Sequence, residues 1–96
     1  MNNLTTIFVV FYKETELNDG NITATNCGVC EEGYLDEQKA IEQVEVMANE
    51  KIKELATEYD DENIIINSSD NGDYKCISTP VGCYEYYVSS CYHTNG

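Results

Sequence analysis

Five cysteines and one histidine are the residues of this sequence whose types most readily support chemistry. Cys27 and Cys30 form a Cys-x-x-Cys pair, a spacing that serves both zinc sites and dithiol redox centres. A tetrahedral zinc site needs two further ligands, and Cys91 and His93 offer them at positions i and i+2 of one predicted strand face. The candidate zinc set is therefore Cys27, Cys30, Cys91 and His93.

Two observations favour structural thiols over metal or redox chemistry. Glu31 and Glu32 directly follow Cys30, and negative charge raises a thiol pKa, which disfavours a reactive thiolate. An odd number of cysteines in a chain without a secretion signal is typical of reduced thiols in a reducing compartment. We therefore expect no cofactor, and a zinc site is the alternative.

The other residue types give little support for catalysis. His93 is the sole histidine, and neither arginine nor a glycine-rich phosphate loop is present. The acidic runs at residues 60–62 and 70–73 do not follow the calcium-loop pattern. The sequence therefore predicts a binding protein, not an enzyme.

The net charge limits the kinds of partner. Eighteen acidic residues face five lysines, giving a formal net charge of −13 in 96 residues. Small domains stay soluble with a net charge of about 2–8, and a larger charge destabilises the compact state through self-repulsion. On this basis we expect no direct binding to nucleic acid or to an anionic membrane. A basic surface on another protein is the expected partner.

The hydrophobic pattern predicts one α+β domain over residues 1–96, with a mostly antiparallel sheet, one amphipathic helix packed on it and the order β-α-β-β-β. We expect a central strand at 4–13, a loop with a short strand at 22–25, and a helix from the N-cap Asp36 to about Tyr59. Asn71-Gly72 predicts a hairpin between strands at 63–69 and 74–80, followed by a last strand at 83–94.

The helix and the last strand supply the candidate binding residues. The apolar stripe of the helix contains Ile41, Val44, Ala48, Ile52, Leu55 and Tyr59, so its glutamates point to solvent. Further acids follow at the C-terminal end, where the helix dipole is already negative. Val46 is the apolar anchor of this face, and Tyr87 is an interface aromatic on the strand face opposite the core. The predicted partner-binding residues are Glu42, Val46, Glu50, Glu54, Glu58, Asp60, Asp61, Glu62 and Tyr87.

Glutamates one helical turn apart, as at Glu50, Glu54 and Glu58, stand about 6 Å from each other, close to the phosphate spacing of a nucleic-acid strand. In size, acidity, lack of arginine and α+β plan, the chain resembles the small acidic inhibitors carried by phages and mobile elements, anti-CRISPR proteins among them. The resemblance implies a nucleic-acid mimic that blocks a CRISPR effector or another nuclease in the bacterial cytoplasm.

Two alternatives to the mimic remain at this point. One is a small zinc-binding module, and the other is an accessory or regulatory subunit whose acidity serves only solubility. No stretch is long enough to span a bilayer, so we expect no membrane association. The chain is expected to be a monomer, or a homodimer paired through a tyrosine-rich edge strand.

Overall fold

The computed structural model describes the backbone of residues 3–95 and the side chains of residues 5–30 and 32–91. Its elements are β1 (Asn3–Asn18), β2 (Asn21–Tyr34), α1 (Glu37–Leu55), a short 3₁₀ turn (Asp61–Asn63), β3 (Ile65–Ser68), β4 (Tyr74–Thr79) and β5 (Gly82–Asn95). The strands form one antiparallel sheet in the order β2-β1-β5-β4-β3. The predicted α+β class, with one helix on an antiparallel sheet, is confirmed.

A second strand before the helix is the main difference from the predicted order. Residues 14–18 continue β1 and residues 21–34 form β2, so the loop predicted here is wrong, whereas the short strand predicted at 22–25 is confirmed as part of β2. Asp19 and Gly20 have φ angles of 53° and 81°, and two positive φ angles at adjacent residues are typical of the turn that joins paired strands. β2 is polar because it is an edge strand and most of its side chains are exposed.

β1, which was predicted to be the central strand, lies inside the sheet but not at its centre. β1 lies between β2 and β5, and β5 occupies the middle of the sheet. The tyrosine-rich strand is therefore not an edge over residues 82–87, where it pairs with both β1 and β4, and the pairing of two copies stays a prediction. Val10 of β1 is fully buried, whereas its neighbours Val9 and Phe11 are only half-buried, because α1 covers one face of the sheet.

The helix begins as predicted and ends four residues early. The Asp36 carboxylate accepts a hydrogen bond of 2.9 Å from the Gln38 backbone N–H and so caps the first turn. Residues 56–59 form a turn, which the Tyr59 backbone N–H closes by donating to the Leu55 carbonyl. Among the described residues, no helix has the length and apolar character needed to cross a membrane.

The core lies between α1 and the covered face of the sheet. Helix residues Ala40, Val44, Ala48 and Leu55 pack against Val10, Ile77 and Tyr86. The predicted stripe is therefore rotated slightly toward Ala40, and Ile41 and Ile52 are half-buried at its margin. The predicted hairpin is confirmed, because β3 pairs with β4 across a turn in which Gly72 has a φ of 82°.

Candidate partner-binding surface

The outer face of α1 is less negative than its row of glutamates alone would make it. Glu42, Val46, Glu50 and Glu54 are exposed on this face, as predicted. Lys39 and Lys53 are exposed on the same helix, which contains five glutamates and three lysines in all. Its net charge is therefore −2, and most of the charge of −13 lies elsewhere.

One lysine is held between acids where α1 packs on the sheet. Lys51 Nζ lies 3.3 Å from Glu54 Oε2, 3.7 Å from Glu14 Oε1 and 4.8 Å above the ring of Tyr84. Only 18% of the Lys51 side chain is exposed. The positive charge of Lys51 therefore partly neutralises Glu54 within the predicted row of glutamates. The same contact shows how two carboxylates and a tyrosine ring bind a cation in this protein.

The acids that follow α1 form a denser negative region. Glu58, Asp60, Asp61 and Glu62 are exposed in the turns after the helix, and no lysine occurs between Lys53 and Lys75 in the sequence. The C-terminal end of a helix carries a partial negative charge of its own. These four predicted residues thus stand where negative charge is least favourable to the isolated chain.

A groove extends this negative region toward the β1–β2 hairpin. Its volume is about 460 Å³, and we name it the acidic groove. Glu16 and Glu58 both line it, and the rings of Tyr59 and Tyr84 contribute to its wall; Leu17, Asn18, Thr23 and Val81 complete it. Glu14, Glu16 and Tyr84 also line an adjoining hollow of about 190 Å³. Sequence reasoning missed Glu14 and Glu16, because the β1–β2 ribbon that presents them was predicted as a loop.

Tyr87 lies on the side of the sheet away from α1, which we name the open face. Its ring stacks on Phe11, with centroids 5.5 Å apart, and on Tyr74, with centroids 6.4 Å apart. The Tyr74 hydroxyl donates to the Glu85 carboxylate, which raises the pKa of Tyr74. The structure therefore divides the nine predicted residues between two surfaces, with Tyr87 on one and the acids with Val46 on the other.

The two members of the Cys-x-x-Cys pair point to opposite faces of β2. Cys30 packs against the core on the helix side, and its thiol donates to the Met47 sulfur at 3.3 Å. Cys27 pairs in register with Lys13 on the open face and is exposed. In a strand, residues i and i+3 project to opposite sides, so these two thiols do not converge.

The remaining members of the zinc set lie far from Cys27. Cys91 pairs with Ile7 of β1, six residues from Lys13, and six strand residues span about 20 Å. The His93 side chain is outside the described residues. Within the described part of the chain, no three His, Cys, Asp or Glu side chains are arranged to hold a metal ion. The predicted ligands therefore do not fit a single zinc site.

The structure brings together a different pair of thiols. Cys76 of β4 and Cys83 of β5 lie on the open face with their sulfurs 3.0 Å apart, and the Ser78 hydroxyl lies 3.7 and 3.8 Å from them. Burial and the contact with Cys76 raise the pKa of Cys83 to about 11. This contact was not predicted, because it depends on the register between β4 and β5, which pairs Ser78 with Cys83 and so brings Cys76 beside Cys83.

The arrangement presents two surfaces of contrasting chemistry. The acidic groove and the acids beyond α1 suit basic side chains, whereas the open face presents aromatic and apolar side chains. Comparisons with protein-family models, with curated proteins and with solved structures find no match for this chain.

Proposed function

We propose that this protein binds the basic, nucleic-acid-binding surface of another protein and competes there with nucleic acid. The observation that carries the proposal is the acidic region at the end of α1. Glu58, Asp60, Asp61 and Glu62 are exposed there. Glu16 lines the same groove as Glu58, and no lysine is among the described residues that line it. This grouping opposes the helix dipole, and a basic partner surface offsets that cost.

Basic side chains of the partner bind in the acidic groove in the way that Lys51 is held nearby. Lys51 sits between two carboxylates and over a tyrosine ring. The groove offers the carboxylates of Glu16 and Glu58 together with the rings of Tyr59 and Tyr84. Arginine suits such a site well, because its planar guanidinium both pairs with carboxylates and stacks on aromatic rings.

The partner class follows from this chemistry and from the resemblance to acidic inhibitors. A protein channel that binds DNA or RNA carries Lys and Arg spaced to meet phosphates, and exposed carboxylates can take the phosphates' place. We propose a CRISPR effector or another nuclease of the bacterial cytoplasm as the target. The role is inhibition by binding, not catalysis.

Affinity capture with competition by DNA tests the proposal. The immobilised protein is exposed to bacterial lysates, including lysates that express CRISPR effectors, with and without excess duplex DNA. We expect retention of a basic nucleic-acid-binding protein that DNA displaces and that rising salt releases. A captured partner that is indifferent to both DNA and salt contradicts the mimic and favours a subunit whose acidity serves only solubility.

Charge reversal then locates the contact. We expect Glu50, Glu58 and Asp61 changed together to Lys to weaken binding at least about tenfold. Glu54 is left unchanged because it pairs with Lys51. The matched control changes the exposed residues Glu32, Glu45 and Asp70 to Lys, so that both variants have a net charge of −7 instead of −13. Equal losses in the two variants would show that only the total charge matters and would overturn the proposed site.

A further inference from the structure

The open face carries an aromatic row that the proposed function does not use. Phe11, Tyr87 and Tyr74 form a continuous aromatic row across β1, β5 and β4. Val29 of β2 stands in register beside Phe11 and is 50% exposed, which extends the row to a fourth strand. α1 packs on the other side of the sheet, and no element of the described residues covers this row.

Among the side chains that the structure describes, this face carries no net charge, whereas the chain as a whole has a net charge of −13. Its described charged side chains are Lys13 and Glu85, which stand opposite each other in register on β1 and β5. The Glu85 carboxylate also accepts a hydrogen bond from Tyr74. The electrostatic repulsion between two copies of this acidic chain is therefore smallest when they meet through this face.

The exposed area of the chain is larger than its mass requires. The accessible surface is 6562 Å². A folded monomer of 10.8 kDa exposes about 5,500 Å². The excess of roughly 1,000 Å² is comparable with the roughly 800 Å² that each partner buries in a standard protein interface.

We propose that two copies of this chain pack open face against open face, with the aromatic row at the centre of a twofold interface. Antiparallel sheets pack in this way about 10 Å apart, and a twofold axis brings the same patch of both copies together. A second copy fits this face better than a basic partner does, because a basic partner is attracted to the helix side and to the acidic groove.

The mass of the protein in solution tests the dimer directly. Sedimentation equilibrium over a wide range of chain concentration should give the mass of one chain at the dilute end and of two chains at the concentrated end. Higher salt should tighten the association, because it screens the repulsion between two acidic chains. A mass of one chain throughout the range, at low and at high salt, overturns the proposal.

Two substitutions locate the interface. Tyr87→Lys places a charge at the centre of the aromatic row and should raise the dissociation constant at least about tenfold. Val46→Lys is the matched control, because it makes the same charge change on the exposed outer face of α1 and should leave the dimer intact. Both changes make the chain less acidic, so a loss of the dimer in Tyr87→Lys reflects the contact and not added repulsion.

A third variant distinguishes the loss of the interface from misfolding of Tyr87→Lys. Val29→Lys lies on the same face at an exposed edge-strand position, and it should weaken the dimer while circular dichroism stays unchanged. If both open-face variants dimerise as tightly as the unmodified chain, the interface is elsewhere and the proposal fails. The dimer and the proposed function can fail separately, because salt strengthens the first and weakens the second.

Discussion

Several tyrosine and cysteine side chains have higher pKa values in the folded protein than they have in water. Burial raises the pKa of Tyr86, which packs beneath α1, and of Cys30, which contacts Met47. The hydrogen bond to Glu85 raises the pKa of Tyr74. Burial raises the pKa of Cys83 to about 11, from an ordinary 9.0. All these shifts have the same sign, so they act together on the stability of the folded chain.

The first prediction concerns stability at alkaline pH. The unfolded chain releases thiol and tyrosine protons above about pH 9 to 10, whereas the folded chain retains them. The free energy of unfolding should therefore stay constant from neutral pH to about 9 and fall as the pH rises toward 11. For a buried tyrosine the loss is up to about 1.4 kcal/mol for each pH unit above its ordinary pKa. Urea denaturation at a series of pH values measures this.

Tyr86→Phe is the control for the alkaline prediction. It removes the hydroxyl of one buried tyrosine and keeps the ring, so the fall in stability above pH 10 should become shallower. A denaturation midpoint that does not change between pH 9 and 11 in the unmodified protein would contradict the prediction. So would an identical pH profile for the Tyr86→Phe variant.

The second prediction concerns the Cys76–Cys83 contact. The sulfurs are 3.0 Å apart, and a disulfide bond is about 2.05 Å long, so a small movement joins them. Glutathione disulfide should oxidise the pair by two exchange steps, which form one protein disulfide and release two molecules of reduced glutathione. The raised pKa of Cys83 makes the reaction faster as the pH rises.

Mass spectrometry of the tryptic peptide that begins at Cys76 reads out this oxidation. This peptide runs from Cys76 to the end of the chain and also contains Cys91. It should have lost two hydrogen atoms through the Cys76–Cys83 bond, should carry one glutathione on Cys91, and should give no fragments from cleavage between Cys76 and Cys83. The exposed Cys27 and Cys91 should carry glutathione instead, since neither is in contact with a second thiol among the described residues. Cys83→Ser should abolish the linkage. A mixed disulfide with glutathione at Cys76 in the unmodified protein would contradict the prediction.

At the scale of elements, local signals predicted the helix well. Asp36 as N-cap and the three- and four-residue spacing of apolar residues act within the segment itself, and the structure confirms both. The hairpin at Asn71-Gly72 is equally local. β2 was missed because an exposed edge strand has no alternating apolar pattern, and its pairing with β1 is set by a distant segment. The acidic groove depends on that pairing, which places Glu16 near Glu58.

The third prediction concerns the start of α1. Asp36→Ala removes the carboxylate that accepts the Gln38 backbone N–H and should lower the free energy of unfolding by about 1 kcal/mol. Asp36→Ser keeps an acceptor at the same position and should lower the free energy of unfolding by only about 0.3 kcal/mol. Urea denaturation at neutral pH compares the two variants with the unmodified chain. Equal losses for the two variants would show that the cap does not stabilise the helix.

At the scale of the whole molecule, a small hydrophobic core stabilises a chain with a large negative charge. Within the described part of the chain, seven buried hydrophobic residues connect α1 to the sheet, and two of the seven are alanines. The described salt bridges both involve Lys51, so few of the acids have a positive partner. Repulsion among the remaining carboxylates acts against a core that has little stability to spare. The acidity therefore has a cost in stability.

The last prediction follows from that repulsion. Raising NaCl from about 10 mM to about 1 M shortens the Debye length from roughly 30 Å to roughly 3 Å, which screens the carboxylates from one another. At a fixed chain concentration, the urea denaturation midpoint should rise with salt. The variant with Glu50, Glu58 and Asp61 changed to Lys has a net charge of −7, so its midpoint should rise less. KCl should act like NaCl, because the effect is screening and not the binding of one cation. A midpoint that falls with salt would mean that the ion pairs of Lys51 outweigh the repulsion, and the charge would then carry no cost for a basic partner to offset.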